Sequence, residues 1–153
     1  MPQLQQFAQK AIIEQEGKVL MIKHSPTTKI TGGYYALPGG RMDFGEEVDA
    51  HIIREVTEET GLIIEPGKPI AIRQWQIVKG AADIAESQVF ELQIIAVYRL
   101  CQVKSGQLTS GNALAEEGIE ALEWVDVAQV LDQVIPNEVS VLQTYLASKT
   151  ESL

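Results

Sequence analysis

The chain has 153 residues, enough for one compact domain with its own core, and a single domain over 1–153 is the expectation. With 45% hydrophobic and 22% charged residues it is globular in composition, which excludes whole-chain disorder. Twenty-one Asp and Glu against twelve Lys and Arg give a net charge of -9, which repels a nucleic-acid backbone and disfavours a polymer-binding role.

No run approaches the ~18 apolar residues of a membrane span, so no membrane partner is expected. The start, MPQLQQFAQK, lacks the basic and apolar blocks of a secretory signal. A cytoplasmic setting is the resulting expectation. The one cysteine, Cys101, excludes an internal disulfide and a Cys-rich zinc site. It lies in an apolar, strand-like run and reads as a small buried hydrophobe.

In chain order, Phe7 to Ile13 reads as a strand, Glu14 to Gly17 as a turn and Lys18 to Lys23 as its hairpin partner. Ser25 to Gly33 is a polar loop. Tyr34 to Leu37 is a short strand stopped by Pro38-Gly39-Gly40. A helix follows over Glu47 to Thr60, with Gly61 in the left-handed cap position. Ile70 to Val78 and Val89 to Val103 are strand-like, Lys104 to Glu117 is a polar loop, and Leu122 to Val125 is a last short strand. Helical spacing returns at Val127, Val130, Leu131 and at Val139, Leu142, Leu146, with Pro136 between them. Strands and helices mix without βαβ alternation, so the class is α+β.

The helix carries an unusual acid stripe. With Glu55 at zero, Glu58 falls near about −60° and Glu59 near about +40°, so three carboxylates share one face. Ile52, Ile53 and Val56 occupy the adjoining arc and face the core. As scaffold this is poor. Glu55 and Glu59 repel at i,i+4, and Glu58 and Glu59 oppose the helix dipole by ~0.3–1 kcal/mol each. A bound cation reverses the sign of these terms. Carboxylate oxygens without Cys or clustered His favour Mg²⁺ or Mn²⁺. A solvated acidic face is the alternative. Gly39-Gly40 just before the helix permits close backbone approach to phosphates, and Arg54 can hold neighbouring carboxylates in place.

Gly40, five residues, Glu46, seven residues, Arg54-Glu55-Val56, one residue, Glu58-Glu59, one residue, Gly61-Leu62 resembles the Nudix box without a departure. A chance match of these seven fixed types is roughly one in ten million. Tyr35 to Gly40 is similar to the family's approach to the box. The resemblance implies an α/β/α sandwich around a central mixed sheet. It also implies hydrolysis of a small nucleotide: a nucleoside diphosphate linked to another moiety. Gly40, Glu55, Glu58 and Glu59 would then hold Mg²⁺ or Mn²⁺, and Arg54 would orient the glutamates. The base would be Glu46 or a later glutamate, with Glu120 and Glu117 the choices from Glu116 to Glu123. Gly39, Gly40, Lys23 and Arg73 are the substrate-binding candidates, with His24 beside Lys23 and Trp75 placed to stack on a base. The family's signatures for ADP-ribose, dinucleoside polyphosphates and NADH are absent around Gln76 to Gly80. A catalytically silent nucleotide-sensing or partner-binding module is the rival reading. Homodimers are common in the resembled family, so a homodimer is an open expectation.

Overall fold

The computed structural model describes residues 3–26, 32–79, 90–109, 114 and 118–151. Its strands are β1 (Gln3–Gln15), β2 (Lys18–His24), β3 (Tyr35–Ala36), β4 (Gly39–Arg41), β5 (Leu62–Lys79), β6 (Phe90–Gly106) and β7 (Ile119–Val125). The helices are α1 (Val48–Thr60), α2 (Val127–Val130) with a 3₁₀ turn over Leu131–Gln133, and α3 (Pro136–Glu151).

The sheet is mixed. β1 runs parallel to β6 from Gln3↔Glu91 to Ile13↔Cys101, and β6 pairs antiparallel with the edge strand β5. On its other side β1 meets β4 at Ala8↔Arg41 and β2 at Glu14↔Val19; β2 is flanked by β3 and β7. The pleat sorts the core into two layers. Ala8 and Ile12 of β1 join Leu92, Ile94, Ala96 and Tyr98 of β6 under Val141, Leu142 and Tyr145 of α3. Ala11 and Ile13 join Leu20, Ile64 and Cys101 under Ile52 and Val56 of α1. This is the expected α/β/α sandwich. Ile52 and Val56 are fully buried, a gain of about 1.5–3 kcal/mol each.

Several boundaries differ from expectation. Pro38-Gly39-Gly40 does not end pairing, because Gly39–Arg41 forms β4 against β1. Glu47 is the N-cap of α1, its carboxylate accepting from Ala50 N at 2.9 Å, so the helix starts at Val48. β5 starts at Leu62 instead of Ile70. Gly61, left-handed at φ 82°, turns the chain straight into it, and Pro66 and Pro69 are absorbed by register shifts at the sheet edge. β1 reaches back to Gln3 because its amides pair across to β6, as Gln3 with Glu91 and Gln5 with Gln93. β7 begins at Ile119, three residues early. Cys101 is buried in β6 as expected. No helix among the described residues is long and apolar enough to cross a membrane.

Candidate active site

β4 is where backbone and acid helix meet. Gly39 sits at φ 146°, and a Cβ there would stand 2.2 Å from Gln9 O. Its N–H donates to Glu59 Oε1 at 2.7 Å. A Cβ on Gly40 would fall 2.6 Å from Glu55 Oε2, so the missing side chain is the space the Glu55 carboxylate occupies. Gly39 is required by its φ and by the β1 backbone, whereas a side chain at Gly40 would have to displace the Glu55 carboxylate.

Arg54 ties the loop before α1 to the helix. Its Nε and Nη2 donate to Glu46 Oε2 and Oε1, each at 2.7 Å. Nη1 reaches both oxygens of Glu58 at 3.3 Å, and Nη2 lies 3.2 Å from Glu55 Oε1. Glu46 Oε1 also accepts from Asp43 N at 2.8 Å. Chiefly through the Arg54 hydrogen bonds, the Glu46 carboxyl is held at about 2, and Arg54 is correspondingly raised. Glu55 moves the other way. Burial raises its pKa, Glu58 adds to the rise, and Arg54 opposes it.

Four carboxylates (Asp43, Glu46, Glu55 and Glu58) thus lie within 4 Å of the Arg54 guanidinium, while Glu59 turns to the Gly39 N–H. A divalent cation fits this excess of hard oxygen donors and the cradle at Gly40. Among the described residues no three acidic, His or Cys groups already converge as a metal cluster. Glu58 leans toward Arg54 and Glu59 toward Gly39.

A family model described as NUDIX domain matches residues 6–145. The chain belongs to the NUDIX domain family. It is 46% identical over 52 residues to an ADP-ribose pyrophosphatase of Methanocaldococcus jannaschii, covering 34% of this chain and 30% of that one. It is 35% identical over 86 residues to a nucleoside triphosphatase NudI of Enterobacter sp., covering 55% and 61% respectively. The chain therefore spans less than two thirds of the length of these curated relatives. The crystal structure of a MutT protein from Methanosarcina mazei superimposes with a TM-score of 0.72, at 18% identity over 97% of this chain and 98% of that one. That likeness is one of fold.

The Nudix fold brings Gly39, Gly40, Glu46, Arg54, Glu55, Glu58 and Glu59 together. Among the described residues, no hydrogen bond or ion pair joins Lys23, Arg73 or Glu120 to them. Lys23 lies 5.6 Å over the Tyr35 ring. Arg73 is exposed on β5, on the α3 side of the sheet with Trp75. Glu120 is exposed at the start of β7, near Tyr35. Glu116 and Glu117 lie outside the described residues. His24, beside Lys23, is half-buried, and burial lowers its pKa with help from Lys10.

Sequence reasoning missed four residues. Lys10, paired with Gly39 on β4, meets the buried Glu138 of α3 at 3.4 Å, and Glu138 Oε1 accepts from Leu37 N at 2.9 Å. With Trp75, Ile77, Ile135 and Asn137 they line a pocket of about 520 Å³. Gln9 and His51 are buried on the α1 side. His51 is four residues before Glu55, on the acid stripe, and that spacing was the available signal. The other contacts span 29 residues or more, beyond any local pattern.

Proposed function

We propose that this Nudix chain, with residues 1–153 acting as one domain, hydrolyses a phosphoric anhydride in a nucleoside diphosphate derivative. The observation that carries the reading is Gly40 set directly against the Glu55 carboxylate, where a Cβ would displace that carboxylate from its present position. That contact makes sense if the Gly40 carbonyl and the Glu55 carboxylate serve one cation. Glu58 and Glu59 complete the donor set by turning from Arg54 and Gly39. Mg²⁺ or Mn²⁺ bound there offsets charge on the diphosphate oxygens and lowers the pKa of the attacking water. It also explains how a chain at -9 holds a polyanion.

Arg54 fixes the loop and the helix in one arrangement. Glu46 is a poor base, because Arg54 occupies both its oxygens and its pKa is near 2. Glu120 is the base candidate we carry forward, with Glu117 in the same stretch of chain. The pocket beyond Lys10 suits the nucleoside end of the substrate. It adjoins β4 through the Lys10–Gly39 pair, and its size and mixed lining of Trp75, Ile77 and Asn137 suit a base and sugar. Arg73, on that same face, is placed for a distal phosphate. The intact acid set favours turnover over a silent sensing module.

The names of the two curated relatives point to ADP-ribose and to nucleoside triphosphates, and both compounds contain such an anhydride. A screen of nucleoside diphosphate derivatives and nucleoside triphosphates, scored for released monophosphate with Mg²⁺ or Mn²⁺, tests the proposal. Turnover that stops on chelation is expected. Full activity in excess chelator overturns the metal mechanism.

A further inference from the structure

Gln9 and His51 are fully buried beside the acid cluster. Gln9 stands opposite Gly40 in the β1–β4 pairing and turns its amide toward α1. Its Nε2 donates to Val48 O at 2.7 Å and lies 2.9 Å from His51 Nδ1. Its Oε1 accepts from Arg99 Nη1 at 3.2 Å. That guanidinium is itself held by Asp49 Oδ1 at 2.6 Å and, through Nε, by Gly67 O at 2.9 Å.

These contacts leave the amide one orientation. Its carbonyl must face Arg99, so its two hydrogens serve Val48 O and His51 Nδ1. His51 Nδ1 is then an acceptor, and the network assigns the ring proton to Nε2. Nε2 therefore has no lone pair with which to bind a metal. It is a buried N–H donor, and it has no hydrogen-bond partner among the described residues. Buried donors are nearly always paired, so an unpartnered one points to an acceptor that arrives.

The acceptor can be identified by elimination among the neighbouring carboxylates. The acids within reach of His51 are Glu46 and Glu55. Both Glu46 oxygens already accept from Arg54, and Oε1 accepts from Asp43 N as well, so Glu46 is the more fully engaged of the two. Glu55 meets Arg54 through Oε1, while its Oε2 faces Gly40, the strand partner of Gln9. We propose that His51 is a positioning residue for Glu55: Gln9 holds Nε2–H as the donor for one Glu55 oxygen when that carboxylate takes up a cation. The inference rests on the metal reading above. Ligating carboxylates are commonly oriented in this way, and loss of such a partner typically weakens metal binding 10- to 100-fold.

Imidazole ¹⁵N–¹H correlation spectra of the whole labelled chain, titrated with MgCl₂ alone, test it. The expected result is a neutral ring with its proton on Nε2, and an Nε2–H signal that moves downfield as Mg²⁺ binds. That movement should vanish in Glu55→Gln. His51→Phe, followed by thermal melts across a Mg²⁺ titration, should bind about tenfold more weakly. A proton on Nδ1 overturns the proposal. So does an Nε2–H signal indifferent to Mg²⁺ while wild-type melts respond to the ion, or a folded His51→Phe protein with wild-type affinity. If neither spectra nor melts of the wild type respond to Mg²⁺ or Mn²⁺, the metal reading itself falls, and this one with it.

Discussion

Gln9 and Lys10 are neighbours on β1, but the pleat sends them to opposite faces, and the two faces handle charge differently. On the α3 side, Lys10 closes on Glu138, a carboxylate only 1% exposed whose other oxygen takes the Leu37 N–H. On the α1 side, the buried groups are Gln9 and His51, with Arg99 paired to Asp49 beside them, and the acids around Arg54 stand toward the rim in excess over it. A charge that finds its partner inside the fold becomes floor and wall. Charges left in excess at a rim call for something from outside.

The largest expected effect breaks the rim. Glu58→Gln keeps size and helix propensity but removes one negative charge. Turnover should fall by at least ~10²-fold, the scale of losing one strong electrostatic contributor. Metal-free stability should hold or rise slightly, since an anion leaves the helix C-terminus. Wild type should gain about 2.7 kcal/mol at a hundredfold excess of Mg²⁺ over Kd, and the variant should lose that gain. Melts with and without Mg²⁺, beside a turnover assay, check both. Wild-type values in each would remove Glu58 from the site.

The opposite face should answer in stability. Glu138→Gln keeps an acceptor for Leu37 N but strips Lys10 of its counter-charge, and should cost about 1–3 kcal/mol. Urea unfolding reads this directly, and Mg²⁺ should stabilise the variant as much as wild type. An unchanged midpoint would show that Lys10 is satisfied by solvent and that the two faces do not differ in kind.

A finer comparison lies within the rim. The Glu46 carboxyl is held at about 2, below its usual ~4.3. Its stabilising contribution is therefore present above ~4.3 and is lost as pH falls toward 2. Glu55, raised by burial, works the other way and costs stability once pH rises through its pKa. Glu46→Gln should flatten the acid loss of stability between about pH 4 and 2. Glu55→Gln should make the metal-free protein more stable at pH 7. Acid titrations followed by circular dichroism decide between them; matching curves for the two variants would remove the contrast.

The smallest effect is expected at Cys101, whose thiol burial pushes up to about 11. Cys101→Ser should leave turnover within a few-fold, because water is the proposed nucleophile. Complete loss in a folded protein would revive a thiol mechanism.

Local spacing alone determined the acid stripe of α1, its Gly61 cap and the apolar arc of Ile52 and Val56. A helix repeats within four residues, and each of these features lies inside that reach. Gly39-Gly40 was visible as a pair, but its partners were not: Gln9 and Glu55 come from 30 residues before Gly39 and 15 after Gly40. The tertiary structure decided which carboxylates pair and which stay in excess, because that depends on the loop carrying Glu46 folding back onto Arg54. It decided that β5 begins at Leu62, since only an edge strand accommodates Pro66 and Pro69. It also decided that His51 is buried beside Gln9, 42 residues away, and that Glu138 closes on Leu37 across 101. Periodicity tells which side of an element is apolar. Which polar group waits on the other side of the contact depends on sheet register and helix docking, and no local pattern carries those.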